Sequence, residues 1–173
     1  MSDRDNFYKF LKKVAIGPAI EVAFHPWVEG LENIPESGPA ILASNHLSFS
    51  DSIFLPVAVP RKITFMAKSE YFEGTGIRGK VTAAFVRGAG QVPVDRTGGN
   101  ASMAAITTGV RLLKEGHMLG IYPEGTRSSD GRLYRGKTGV ARIALESRVP
   151  VIPVAMINTE MVQPIGRSRP NFG

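Results

Sequence analysis

Five short apolar runs, each separated from the next by a longer stretch, constrain this chain more than any other feature. They are residues 39–43 (Pro-Ala-Ile-Leu-Ala), 62–67 (Lys-Ile-Thr-Phe-Met-Ala), 91–94 (Gln-Val-Pro-Val), 118–122 (Met-Leu-Gly-Ile-Tyr) and 151–156 (Val-Ile-Pro-Val-Ala-Met). Each has the length and the apolar, partly β-branched make-up of a strand. Helical stretches at 51–59, 77–86, 101–115 and 138–147 lie between them. In the third, Ile106, Val110 and Leu113 form an apolar stripe, and Gly116 supplies the C-terminal stop. The alternation predicts an α/β fold with a single central sheet, mostly parallel or mixed, flanked by helices. Pro93 lacks an N–H to give to a ladder, which puts its run at an edge or a strand end. No repeat, low-complexity tract or linker divides the chain, so its 173 residues form one domain able to bury a core.

Residues 1–27 precede that domain as an N-terminal amphipathic helical segment, leaving 28–173 for the sheet. Phe7, Phe10, Leu11 and Val14 recur at i, i+3, i+4 and i+7, with Lys9, Lys12 and Lys13 beside them. Pro18 kinks or restarts that helix, and Phe24 and Trp27 extend its apolar side. Two uses fit the face: packing on the chain's own domain, or lying in a membrane interface. Basic residues around an aromatic face suit the interface, so these four are the expected membrane-contact residues. The polar start does not read as a signal peptide. The apolar stretch 14–24 is broken by Gly17, Pro18 and Glu21 and is too short to span a bilayer.

Charge and composition narrow the chemistry. The excess of 21 basic over 15 acidic residues gives a net charge of +6, which points to an anionic partner: nucleic acid, a phospholipid surface or a phosphorylated metabolite. The basic residues are not interleaved with aromatic ones as a strand-binding groove requires, so nucleic acid is not expected. With no cysteine, disulfides, thiolate metal sites and covalent thiol catalysis are excluded.

The first apolar run leads directly into Ser44-Asn45-His46-Leu47-Ser48-Phe49-Ser50-Asp51. Ser48 and Asp51 fit a capping box, Ser48 as N-cap and Asp51 at N3, which makes the segment a plain helix start. That leaves His46 without a role. An imidazole just outside a helix, with a carboxylate five residues on, is also arranged for proton transfer, the carboxylate fixing the tautomer. Spacing alone supports both. No G-x-S-x-G elbow supplies an acyl-enzyme nucleophile, so such a base would act on a substrate hydroxyl or on water directly.

About eighty residues later comes Tyr122-Pro123-Glu124-Gly125-Thr126-Arg127-Ser128, after the fourth run. Gly125 allows a close backbone approach, and the Arg127 fork suits phosphate or carboxylate. Alone it could be a polar loop with a surface ion pair. Arg96 follows the third run and Lys68 the second, so three basic residues and His46 all lie just past strand ends, where α/β sheets place their sites.

These blocks resemble the glycerolipid acyltransferases, specifically the 1-acylglycerol-3-phosphate (lysophosphatidate) acyltransferases. Residues 45–51 are similar to that family's histidine–four residues–aspartate motif. Gly90-Gln91-Val92-Pro93-Val94-Asp95-Arg96 resembles the block ending in a phosphate-binding arginine. Residues 122–128 resemble its Phe-Pro-Glu-Gly-Thr-Arg-Ser block with Tyr for Phe, and Val149-Pro150-Val151-Ile152-Pro153-Val154 its proline-marked fourth block. The resemblance covers roughly residues 28–156.

It implies acyl transfer from acyl-CoA or acyl carrier protein to a glycerol-phosphate hydroxyl in phospholipid biosynthesis. The acceptor expected first is 1-acylglycerol-3-phosphate, giving phosphatidate, with glycerol-3-phosphate or another lysophospholipid as alternatives. His46 becomes the general base and Asp51 its partner. Arg96, Glu124, Gly125, Thr126 and Arg127 become acceptor ligands, assisted by Lys68. The acyl donor thioester is a co-substrate, and no cofactor or metal is implied. The expected place is the cytoplasmic side of an anionic membrane surface, peripheral or monotopic. The family usually continues with another strand and helix where this sequence stops. A thioesterase or lysophospholipid hydrolase using the same His/Asp pair is the other enzymatic reading, and a non-catalytic binder of anionic surfaces needs only the charge.

Residues 131–138, Gly-Arg-Leu-Tyr-Arg-Gly-Lys-Thr, satisfy the Walker A pattern. They do not leave a strand directly, and their bulky interior is unsuited to cradling phosphate, so nucleotide hydrolysis is not expected. His25 and His117 have no companion at metal-ligand spacing and read as structural.

Overall fold

The computed structural model describes residues 3–94, 101–167 and 169–171. Strands β1 (Ala40–Ser44), β2 (Ile63–Lys68), β3 (Val92–Val94), β4 (Met118–Ile121) and β5 (Val151–Val154) form one sheet in the order β3-β2-β4-β1-β5. All four pairings are parallel. Helices α3 (Asp51–Ala58), α4 (Gly76–Gly88), α5 (Ala101–Lys114) and α6 (Gly139–Ser147) make the crossovers, and α7 (Thr159–Val162) follows β5. Each strand and crossover helix falls within two residues of the span its sequence pattern predicts. Pro93 does lie on an edge strand, β3.

The continuous apolar runs are explained by burial on both faces of the sheet. In β1, Leu42 and Ile41 are both completely buried, yet they serve different cores. Leu42 joins Met118, Ile63 and Phe65 beneath Leu55 and Val59 at α3. Ile41 joins Leu119 beneath Ile106, Val110 and Leu113 of α5 and Ile143 of α6. The stripe read from the α5 sequence is thus the one that packs, and Gly116 ends the helix at φ +87°.

The N-terminal segment runs as α1 (Asp3–Phe10), a π-helical stretch over Leu11–Ile16, and α2 (Gly17–Phe24). Pro18 restarts the helix in the first turn of α2, where its missing N–H costs nothing. The Gly17 N–H reaches back five residues to the Lys12 carbonyl. Tyr8 and Ile20 are buried, and Leu11, Lys12, Ile16 and Phe24 are half-buried. Lys12 donates its ammonium to the Val59 carbonyl, and Phe24 meets Phe54 of α3 edge-on at 5.5 Å.

The four apolar residues read as one face therefore divide. Phe7, Phe10 and Val14 are 41%, 53% and 63% exposed, whereas Leu11 turns inward to line a cavity of about 50 Å³ with Ile53, Pro56 and Phe85. The inward positions include a tyrosine and a lysine, whose apolar bodies pack on the domain. One side of the segment packs on the domain, and the other is exposed.

Gly120, in the middle of β4, is set by packing. A Cβ there would lie 2.4 Å from Cε1 of Phe65 on β2. Gly120→Ala is expected to lower stability by about 1–3 kcal/mol through overpacking. The double variant Gly120→Ala/Phe65→Leu should lose less in urea denaturation than the two single losses added together; strict additivity would place the conflict elsewhere.

Candidate active site

Adjacent central strands β1 and β4 run parallel, so their carboxyl ends open on the same side of the sheet. β1 leads into Asn45, whose side chain continues the pairing with the chain beyond β5. Its amide donates to the Met156 carbonyl at 2.9 Å, and its Oδ1 accepts the Met156 N–H at 2.7 Å. This double bond fixes the departure of the loop that carries His46.

Asp51 is the first residue of α3, and its side chain is 0% exposed. Its Oδ2 accepts three N–H groups: from His46 Nδ1 at 2.8 Å, Leu47 N at 2.7 Å and Ser48 N at 2.8 Å. Charge-assisted bonds and a helix N-terminus are what a buried carboxylate needs. An ionised carboxylate only accepts, so a neutral imidazole in this contact has its proton on Nδ1 and its lone pair on Nε2. The His46 side chain is 16% exposed. The ring is held in one orientation at the edge of solvent.

The capping box predicted from Ser48 and Asp51 is only half formed. Asp51 does accept the Ser48 N–H, but the helix N-cap is Ser50, and the Ser48 hydroxyl accepts the Ser50 N–H at 3.1 Å instead. The carboxylate that would serve the cap alone is shared with the imidazole.

β4 delivers Tyr122 against the other side of the pair. The Tyr122 and His46 rings stack at 3.8 Å, 9° from parallel, and Tyr122 stacks in turn on Phe65 at 5.6 Å. Its hydroxyl meets Ser52 Oγ of α3 at 3.2 Å. Burial pushes the Tyr122 phenol far above its usual range; the Ser52 hydrogen bond opposes this and the Asp51 charge adds to it. The ring is thus a neutral platform for the imidazole. The chain after it turns sharply: the Gly125 N–H bonds the Tyr122 carbonyl at 3.0 Å, with Gly125 at φ +74°. Ser128 then donates its N–H to the His46 carbonyl at 2.7 Å, tying the two loops together.

Glu124 is buried within this turn. Its Oε2 accepts the Tyr134 N–H at 3.2 Å, while Oε1 has no partner among the described residues. Lys137 packs over Gly125, where a Cβ would lie 3.0 Å from its Nζ and 3.4 Å from its Cδ. Thr126 and Arg127 are exposed, as is Lys68 at the end of β2, one strand beyond β4. Arg96 lies outside the described residues.

The predicted residues thus fall into groups. His46 and Asp51 are in direct contact. Glu124, Gly125, Thr126 and Arg127 sit on the loop bonded to His46, and Lys68 stands two strands from β1. Neither the Ser52 contact nor the stacking of Tyr122 is readable from the sequence, because neither residue type announces a ring platform. Residues 131–138 form an exposed segment ahead of α6, and Lys137 belongs to the site through Gly125. His25 closes α2 at φ +44°, and His117 lies 3.7 Å from Glu115.

Fold and site define an α/β protein whose central strand ends carry a carboxylate-held imidazole beside an arginine-bearing loop. The chain belongs to the acyltransferase family: the family model described as Acyltransferase matches residues 25–157. It is 32% identical over 164 residues to the chloroplastic 1-acyl-sn-glycerol-3-phosphate acyltransferase of Arabidopsis thaliana, covering 94% of this chain and 44% of that protein. It is 36% identical over 126 residues to the 1-acyl-sn-glycerol-3-phosphate acyltransferase of Bacillus subtilis, covering 72% of this chain and 58% of that one. The crystal structure of PlsC, the 1-acyl-sn-glycerophosphate (LPA) acyltransferase of Thermotoga maritima, matches with a TM-score of 0.71 at 28% identity. That match covers 96% of this chain and 66% of that one. The chain spans about half the length of the curated relatives it matches.

The Asp51 geometry has a direct consequence for stability. Asp51→Ala leaves the Leu47 and Ser48 N–H groups without their acceptor, at a cost of about 1–3 kcal/mol for each group left buried. Urea denaturation should show a loss in that range or above it. A loss below 1 kcal/mol would mean that solvent reaches the loop.

Proposed function

We propose that the protein transfers an acyl group from an acyl-CoA or acyl carrier protein thioester to a hydroxyl of a glycerol-phosphate acceptor. The acceptor is 1-acylglycerol-3-phosphate and the product phosphatidate, a step of phospholipid biosynthesis. The observation that carries this reading is the His46–Asp51 contact at 2.8 Å on a loop bonded to the Glu124–Arg127 turn. The names of the relatives favour the same acceptor.

In this mechanism His46 Nε2 takes the proton of the acceptor hydroxyl as its oxygen attacks the thioester carbonyl. The tetrahedral oxyanion collapses, the C–S bond breaks, and the proton passes to the departing sulfur to release the thiol. Asp51 holds the tautomer and offsets the imidazolium charge. Arg127, Arg96 and Lys68 bind the acceptor phosphate, with Gly125 and Thr126 shaping the loop. The unpartnered Oε1 of buried Glu124 suits an acceptor hydroxyl, the kind of donor such an oxygen lacks.

The N-terminal segment brings this site to lipid. Phe10 and Val14 are exposed, Phe7 is partly exposed with its ring against Gly88 of α4, and Ile77 and Val81 of α4 are 86% and 64% exposed. Lys9 and Lys13 accompany them, matching an anionic membrane surface. Among the described residues no helix is long and apolar enough to cross a membrane. The place proposed for this activity is a membrane surface, peripheral or monotopic, on the cytoplasmic side.

His46→Ala should lower thiol release in the presence of lysophosphatidate by ~10²–10⁴-fold. Product analysis across glycerol-3-phosphate, lysophosphatidate and other lysophospholipids should show phosphatidate as the main product. Undiminished release in the variant removes the base, and free fatty acid formed without an acceptor makes the enzyme a hydrolase. Phe10→Glu/Val14→Glu should reduce co-sedimentation with phosphatidylglycerol-containing vesicles; unchanged sedimentation would locate membrane contact elsewhere.

A further inference from the structure

We infer that Gln163, beyond the residues matched by the family model, is a positioning residue for the His46–Asp51 pair. Two bonds join it to the catalytic loop. Its main-chain carbonyl accepts Ser48 Oγ at 2.8 Å, and its side-chain Oε1 accepts Ser50 Oγ at 2.8 Å. Ser48 Oγ also accepts the Ser50 N–H, and Ser48 N is one of the three donors to Asp51 Oδ2. Gln163 therefore lies one residue removed from the carboxylate that orients the imidazole.

The contact is polar and dry. Ser48, Ser50 and Gln163 are all buried, so water does not stand in for a lost partner. The segment that presents Gln163 is closed on itself. Asn171 N bonds the Val162 carbonyl at 2.6 Å, and its Nδ2 bonds the Met161 carbonyl at 3.0 Å. The Arg167 guanidinium donates to Asn171 Oδ1 at 3.0 Å, and Gln163 Nε2 donates to the Arg167 carbonyl at 3.2 Å. The chain after β5 is thus a strap with one side chain pressed into the loop that sets Asp51. Losing that side chain frees the Ser50 hydroxyl and loosens the Ser48–Ser50 turn, which aims the Ser48 N–H at Oδ2. The imidazole then loses its single orientation, although no residue that meets substrate has changed.

The kinetic arm of the test rests on the acyl-transfer reading, and the spectroscopic arm does not. Gln163→Met keeps volume and removes both side-chain bonds, Ser50→Ala removes one bond from the other side, and Gln163→Glu keeps an acceptor for Ser50. A misplaced catalytic group costs up to ~10²-fold, so Gln163→Met and Ser50→Ala should each lower kcat roughly ten- to a hundredfold. KM for both substrates should stay within about twofold. The double variant should be no slower than either single one, and Gln163→Glu should recover most of the loss. In ¹⁵N spectra of the three histidines, His46 should show the Nδ1–H tautomer alone in the wild type and a mixture in Gln163→Met.

A wild-type tautomer pattern in both Gln163→Met and Ser50→Ala overturns the inference, as do single losses that multiply in the double variant. If Gln163→Met does not fold, Ser50→Ala decides by the same two readouts. A wild-type protein that acylates no acceptor defeats the acyl-transfer reading alone, and the tautomer comparison still judges the strap.

Discussion

The Oδ2 atom of Asp51 is the point on which the site depends. It is buried, and it accepts N–H groups from His46, Leu47 and Ser48. A carboxylate without water is unfavourable unless its charge is met by donors, and here three donors and a helix N-terminus meet it. Each donor is fixed by a different constraint. Leu47 is buried in the fold, Ser48 is held by Gln163, and His46 is clamped through its carbonyl by Ser128. The imidazole direction is thus a property of the whole strand-end assembly.

A second constraint comes up through the sheet. Gly120 leaves room for the Phe65 ring, Phe65 supports Tyr122, and Tyr122 lies flat against His46. That hydrogen bond alone would let the imidazole swing about the Nδ1–Oδ2 axis. Stacking removes that rotation, and the Tyr122 hydroxyl on Ser52 keeps the platform in register with the helix that carries Asp51. Asp51 reaches the histidine from the start of α3 and Tyr122 from the end of β4, and Ser52 of α3 ties the second to the first.

The fold was almost fully legible in the sequence, since buried parallel strands must be continuous apolar runs and the runs were short and evenly interrupted. His46, Asp51 and the 122–128 loop were legible for a related reason: each follows a strand. Three things were not. The inward side of the N-terminal segment uses Tyr8 and Lys12, which a binary pattern counts as polar, so the pattern assigns Leu11 to the outward face although it lines the inner cavity. The Ser48 hydroxyl serves Ser50 and Gln163, a long-range partner that no local capping rule contains. The role of Tyr122 depends on what lies beneath it, and stacking leaves no mark in a linear pattern. In each case a tertiary contact overrides a local one.

The two margins of the sheet have something in common. Pro93 sits in β3 and Pro153 in β5, opposite Ala67 and Ala43 respectively. Each removes a donor from an edge that would otherwise offer a free row of N–H groups to a passing strand. Both borders are therefore blunted against growth by strand addition. Copies of this chain crowded together can meet through helices or loops, but their sheets are poor templates for fusing into one.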